Sequence, residues 1–285
     1  MLAKRHPLPA ADAVGFDDET HTYSIDGAVV PRSCTTVVYD LFPRFKPKKT
    51  INLYFENWKA SGKSKYKAVI DTSFTDEEAK LEIAALWARS TEARDLGSLA
   101  HKQIENLLNG VPVDSEARAP VEDEVAGVER WLQECGLRAF RTELPVLARA
   151  PDGTPVLAGM LDALFQDAEG QFVLVDWKRT SKSFGPEEWS FRRHGHGPAI
   201  RLDDTKWMRY SVQLALYASM LRETAGIDVG DRRLLVRLTK TGAEPIEANT
   251  SLEVEQAAAA ALQRLKDGAA QVLLPGEGSS EDEEW

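Results

Sequence analysis

The chain has 285 residues, 43% of them hydrophobic and 28% charged, with a net charge of −10. That length and balance fit a globular protein, one large domain or two small ones, and exclude a low-complexity or fibrous chain. Two cysteines, Cys34 and Cys135, far apart in sequence, provide no disulfide framework. No apolar run reaches membrane-spanning length.

In chain order, residues 1–15 (MLAKRHPLPAADAVG) lack a secretory apolar region and read as a flexible N-terminus of an intracellular protein. Phe16 to Val30 alternates like a hairpin with Asp26-Gly27 as its turn. Phe42 to Lys67 carries eight Lys or Arg against one acid, Glu56, interleaved with Phe42, Phe45, Tyr54, Phe55, Trp58 and Tyr66. Cations that track phosphates beside rings that stack bases suit single-stranded nucleic acid, with Lys63, Lys65 and Lys67 as the candidate path. The competing reading is an amphipathic helix with core aromatics and solvated lysines.

Thr75 to Asn109 has helical patterning, with Gly97 as a break or link. His101 and Glu105 lie four apart in GSLAHKQIENLL, on one helix face. Taken alone, His101 would be a hydrogen-bonded core histidine and Glu105 a solvated charge. Val121 to Glu134 is a further helix ended by Gly136, and Glu143 follows in RTELPVLARA.

The 22 residues Gly159 to Thr180, GMLDALFQDAEGQFVLVDWKRT, are the most informative stretch. Phe172 to Lys178 reads as a strand that is apolar on both faces, hence central. Alternation puts Asp176 and Lys178 on one face and Trp177 on the other. A three-residue loop, Ala168-Glu169-Gly170, with Gly170 left-handed, sets Asp162 opposite Asp176; a slip of one residue sends Asp162 to the wrong side. Buried charges require pairing or a metal. A surface Asp–Lys pair on a plain hairpin is the bland alternative.

Arg179 to Arg209 is a second basic stretch, with seven Lys or Arg against four acids. Its His194 and His196 lack further Cys or His to complete a zinc set, so they read as a basic loop near DNA. Gln213 and Tyr217 share a face of the helical YSVQLALYASML, Arg233 to Thr239 is a strand, and Leu252 to Lys266 is a last helix stopped at Gly268. The acidic end, residues 271–285, reads as disordered.

The order His101, Glu143, Gly159-x-x-Asp162, Asp176-Trp177-Lys178, Gln213-x-x-x-Tyr217 resembles the RecB-like branch of the PD-(D/E)XK nuclease superfamily. Residues 21–45, HTYSIDGAVVPRSCTTVVYDLFPRF, resemble the N-terminal region of members related to phage exonucleases and the mitochondrial genome maintenance exonuclease. The resemblance implies an α/β fold: a mixed central β-sheet flanked by helices, with a helical N-terminal accessory region. The expected layout is one nuclease domain over residues 16–270, with accessory helices at about 40–135 and the catalytic core at about 137–240.

The resemblance also implies that His101, Asp162, Asp176 and the Trp177 carbonyl hold Mg²⁺ or Mn²⁺, that Lys178 orients or deprotonates water, and that Gln213 and Tyr217 bind the DNA backbone or support the site. Glu143 is implied as a structural or helper residue near the metal, and Arg179 as part of the DNA path. Two cysteines cannot supply the four-cysteine iron–sulfur cluster of some relatives. The expected activity is metal-dependent DNA hydrolysis, foremost by an exonuclease acting on single-stranded ends, with replication or recombination proteins as candidate partners. A flap or structure-specific endonuclease with the same site, and a catalytically silent nucleic-acid-binding module, stay open at this point.

Overall fold

The computed structural model describes residues 1–268, apart from Arg89, Val113, Asp114 and Phe191. The acidic end at 271–285 lies outside the described residues. In chain order the elements are α1 (Leu2–Arg5), α2 (Pro9–Asp12), β1 (Gly15–Asp17), β2 (Thr22–Ile25), β3 (Ala28–Val29), α3 (Cys34–Leu41), α4 (Pro47–Ala60), α5 (Lys67–Thr72), α6 (Asp76–Ala88), α7 (Ser90–Asn109), α8 (Ser115–Arg118), α9 (Glu122–Glu134), β4 (Arg138–Arg149), β5 (Pro155–Gln166), β6 (Phe172–Arg179), α10 (Lys206–Ala225), β7 (Arg233–Thr239), β8 (Gly242–Glu247) and α11 (Leu252–Lys266). No described helix is long and apolar enough to cross a membrane.

The chain forms two compact units rather than the single unit expected: Met1–Pro43 together with the described residues from Ala100 onward, and Arg44–Leu99. The larger unit is built on a five-stranded mixed sheet of order β4-β5-β6-β7-β8. β5 and β6 are antiparallel, whereas β6 and β7 are parallel and joined through α10. A parallel neighbour requires such a crossover. β6 is therefore central, and Val173 to Trp177 are all buried. A second, three-stranded sheet, β1-β2-β3, turns at Asp26 and Gly27, both with positive φ, the backbone a two-residue hairpin demands.

The predicted register of the β5–β6 hairpin is observed. Ala163 pairs with Val175 and Gln166 with Phe172, so the next step sets Asp162 opposite Asp176. The Asp167 N–H donates to Gln171 O at 3.0 Å, which closes the loop around Ala168, Glu169 and Gly170, the last at φ +79°.

α10 starts where Thr205 Oγ1 accepts from the Met208 N–H and stops at left-handed Gly226. Its Val212, Leu214, Leu216, Tyr217 and Leu221 share one core with Leu144, Leu161, Leu164 and Leu174 of the sheet and with Val254, Ala258 and Leu262 of α11.

Residues 1–15, expected to be a flexible N-terminus, form α1 and α2 against β4. Buried Arg141 donates from Nη1 to His6 O at 2.8 Å and from Nη2 to Asp12 Oδ1 at 2.6 Å. Leu2 and Ala11 are buried as well. An apolar anchor plus a buried cation with two acceptors holds this segment in place.

The smaller unit contains α4, α5, α6 and the start of α7 around Ile51, Phe55, Tyr66, Ile70, Ala79 and Ile83. This corrects the stacking-surface expectation. Phe55 and Tyr66 are core residues of this unit, Trp58 packs against them, and Phe42 belongs to the larger unit's core. Only Phe45 and Tyr54 of the six aromatics are exposed. Burying rings that water would otherwise surround is the larger gain for a small helical unit. Gly97 does not break α7, which runs through it to Asn109.

Candidate active site

The candidate residues come from three strands and two helices: β4, β5, β6, α7 and α10. Period-two alternation on β6 brings Lys178 Nζ to 2.7 Å from Asp176 Oδ2. That oxygen is buried and makes no hydrogen bond of good angular geometry, so the contact is an ion pair by distance alone. Lys178 Nζ also donates to Gln213 Oε1 at 3.2 Å, and Gln213 Nε2 donates to Tyr217 Oη at 3.2 Å. Gln213 and Tyr217 fall on one face of α10 because they are one helical turn apart.

Gly159 makes this arrangement fit, since a Cβ there would lie 2.5 Å from Tyr217 Cε1. The glycine lets the tyrosine ring lie against β5, three residues before Asp162. The spacing Gly159-x-x-Asp162 thus joins a packing requirement to a carboxylate.

His101 stands on α7. Its Nε2–H donates to the Trp177 carbonyl at 3.0 Å, and its Nδ1 lies 3.6 Å from Asp162 Oδ1. The other Asp162 oxygen accepts from the Trp177 N–H at 2.8 Å. The Trp177 backbone thus faces the site while its ring is buried, edge-on to Trp131 and Phe165. Strand geometry separates the two in that way, as expected from the sequence.

Glu143, expected as a helper, lies closer to the site than that. His101, Glu143 and Asp162 each offer a ligand atom, and these atoms lie within 4.8 Å of one another. An imidazole and two carboxylates are a suitable donor set for Mg²⁺ or Mn²⁺. Asp176 is outside this group of three and faces Lys178 instead.

The electrostatics follow from crowding these charges together. Burial would lower His101, but Asp162 outweighs it and lifts the imidazole to about 9. Burial would raise Asp162, but His101, Lys178 and the Trp177 N–H hold it below its ordinary value. Burial pushes Asp176 up to about 6, with Lys178 pulling down and Asp162 pushing up. Burial would lower Lys178, yet Asp176 and Asp162 together hold it above its ordinary value. Burial and the Asp162 charge push Glu143 up to about 8.

Two further contacts were not read from the sequence. The Tyr210 ring lies under Lys178 Nζ, 4.7 Å from ammonium to centroid. Its position three residues before Gln213 on α10, hence on the same helix face, was the available signal. Buried Glu124 of α9 accepts from Arg179 Nε at 2.8 Å.

That pair engages Arg179 within the fold. Lys67 is paired with Asp71 at 2.5 Å and Lys65 Nζ lies over the Tyr66 ring at 4.7 Å, while Lys63 and Lys65 are exposed. The His194–His196 loop is tethered: Gly195 N–H donates to Leu202 O at 3.0 Å and His196 N–H to Leu41 O at 2.7 Å.

The family model of the PD-(D/E)XK nuclease superfamily matches residues 74–281. No curated protein matches the chain. Among solved structures, the chain is similar to the crystal structure of SSO0001, with 15% sequence identity and a TM-score of 0.35, covering 83% of this chain and 75% of the other.

Proposed function

The chain belongs to the PD-(D/E)XK nuclease superfamily, and on that premise we propose that it is a metal-dependent deoxyribonuclease of the RecB-like branch that removes nucleotides from single-stranded DNA ends. The observation that carries this reading is the convergence of Asp162, Asp176 and Lys178 on adjacent buried strands, with His101 against Asp162.

The donor set supports Mg²⁺ or Mn²⁺ held by His101 and Asp162, with Asp176 and the Trp177 carbonyl close by. Such an ion, when bound, lowers the pKa of its water and offsets charge on phosphate oxygens. Lys178, kept protonated by two carboxylates, is suited to orienting water and stabilising the charge that develops on the phosphate, not to taking a proton. Gln213 accepts from Lys178 and donates to Tyr217, which supports a role in aiming the lysine. Tyr210 supports the same ammonium from its ring face. The excess of cations in residues 44–67 supports a polyanionic strand as substrate, with exposed Lys63 and Lys65 as contacts.

The test is incubation with matched linear and circular single-stranded DNA in Mg²⁺ or Mn²⁺. Degradation of the linear form alone is the expected result. Cleavage of the circle would replace the exonuclease by an endonuclease, and inertness towards both would reject single-stranded DNA as substrate.

A further inference from the structure

We propose that Lys206 holds the DNA phosphate next to the one being hydrolysed, so that the substrate-binding face of α10 runs one helical turn beyond Tyr210; the inference rests on the nuclease reading above. Three observations meet at this lysine.

The first is the way α10 lies along β6. Tyr217, Gln213, Tyr210 and Lys206 follow one another at one helical turn, so they form a single stripe on the helix. Tyr210 and Gln213 meet Lys178, and Tyr217 accepts from Gln213. On the facing strand and just past its end, Asp176, Lys178 and Thr180 share one parity. Strand and helix run in opposite senses here, and their rows meet once more: Lys206 Nζ donates to Thr180 Oγ1 at 3.1 Å. Lys206 thus stands about 6 Å further along α10 than the ring beneath Lys178. A strand with its reacting phosphate at Lys178 runs on along this face and presents its next phosphate to Lys206.

The second is a charge that the fold does not neutralise. Lys206 is half-buried, and among the described residues no carboxylate lies within ion-pair distance of its ammonium. Glu188 is the nearby acid, and its Oε2 accepts the Trp207 N–H at 3.0 Å. Burial lowers Lys206 from the ordinary lysine value, with Glu188 pulling up and Lys182 pushing down. A partly buried cation beside a like charge is unfavourable unless an anion joins them.

The third is spare donor capacity at an ordered turn. Thr180 Oγ1 also accepts the Lys182 N–H at 3.3 Å, which ties the turn to its own hydroxyl and leaves the Lys182 side chain exposed beside it. An ammonium has three donors, and among the described residues Thr180 Oγ1 is the one acceptor that engages Lys206. Lys178, by contrast, is already committed to Asp176 and Gln213. The remaining hydrogens of Lys206 suit phosphate oxygens, where a charge-assisted bond is strongest.

The proposal is tested by binding without turnover. Full-length wild type, Lys206→Met, Lys206→Arg and Thr180→Val are titrated in chelator against end-labelled single-stranded DNA, by fluorescence anisotropy over a series of salt concentrations, after melting curves establish that each is folded. Methionine keeps an unbranched apolar stem without the charge, arginine keeps the charge, and valine removes the hydroxyl alone. Lys206→Met should bind about 5-fold more weakly at ~0.1 M salt, with the slope of log affinity against log salt reduced by about 0.7. Lys206→Arg and Thr180→Val should keep the wild-type slope. Strands that each carry a single uncharged methylphosphonate locate the contact: one substitution that costs the wild type affinity should cost Lys206→Met none. A wild-type slope in Lys206→Met, an equal loss in Thr180→Val, or methylphosphonate costs that all persist in Lys206→Met would reduce Lys206 to a tether of the turn and leave the nuclease reading standing. A wild type that binds no single-stranded DNA would overturn that substrate and this proposal with it.

Discussion

A methyl group placed on Gly159 would lie 2.5 Å from Cε1 of Tyr217 and 3.2 Å from Cβ of Cys34. The glycine before the Asp162 carboxylate and the tyrosine after Gln213 are therefore one packing solution. From Tyr217 the contacts continue through Gln213 to Lys178 and then to Asp176. A change at Gly159 reaches the lysine without touching it.

Gly159→Ala should destabilise the fold by about 1–3 kcal/mol, the usual penalty for overpacking a filled core. Activity should fall by more than the folded fraction does, because the Tyr217 ring must move and loosen Gln213. Chemical denaturation alongside turnover of the folded fraction checks both. Wild-type stability and turnover would mean that β5 and α10 separate freely at this point.

The N-terminal segment gives a pH prediction. Burial raises Asp12, but the hydrogen bond from Arg141 and the Leu8 N–H hold it below its ordinary value. A carboxylate depressed in the folded state adds stability above its unfolded pKa of about 3.9, and this is lost as pH falls through the folded value. Asp12→Asn should therefore lower the melting temperature at pH 7. The gap should close in more acid buffer, where wild-type Asp12 is also neutral. A gap that does not depend on pH would show that the contact with Arg141 is not electrostatic.

The smaller unit's exposed lysines are tested by salt. If Lys63 and Lys65 each neutralise a phosphate, the double alanine variant should reduce the slope of log affinity against log salt by about 1.4 on single-stranded DNA. Binding titrations at four salt concentrations measure it. An identical slope would make both lysines solvated side chains.

Much of the site was legible because it depends on local rules. An odd-numbered loop ending in Gly170 fixed the β5–β6 register, and alternation put Asp176 beside Lys178. The bounds of α11, Leu252–Lys266 with Gly268 after it, follow the same local signals. What was not legible depends on tertiary context. Nothing in RTELPVLARA signals that Glu143 leaves regular strand geometry. β8, with Pro245 and mostly unburied residues, has the pattern of an edge strand and was missed. Gly97 looked like a helix break, but a single helical glycine costs only about 1 kcal/mol. Buried Ala100 and Ile104 on the same helix outweigh that. The rings of residues 42–67 were read as a surface because composition does not distinguish a stacking platform from the core of a small helical unit.

The central claim is that Asp176 and Lys178 serve metal-dependent phosphodiester hydrolysis. The most direct measurement compares cleavage of end-labelled single-stranded DNA by wild type, Asp176→Asn and Lys178→Met, each with Mn²⁺ and with chelator, after circular dichroism confirms the fold. The account predicts cleavage by the wild type only with metal, and a loss of at least ~10²-fold in each variant. Cleavage that survives in either folded variant, or that persists in chelator, would contradict it.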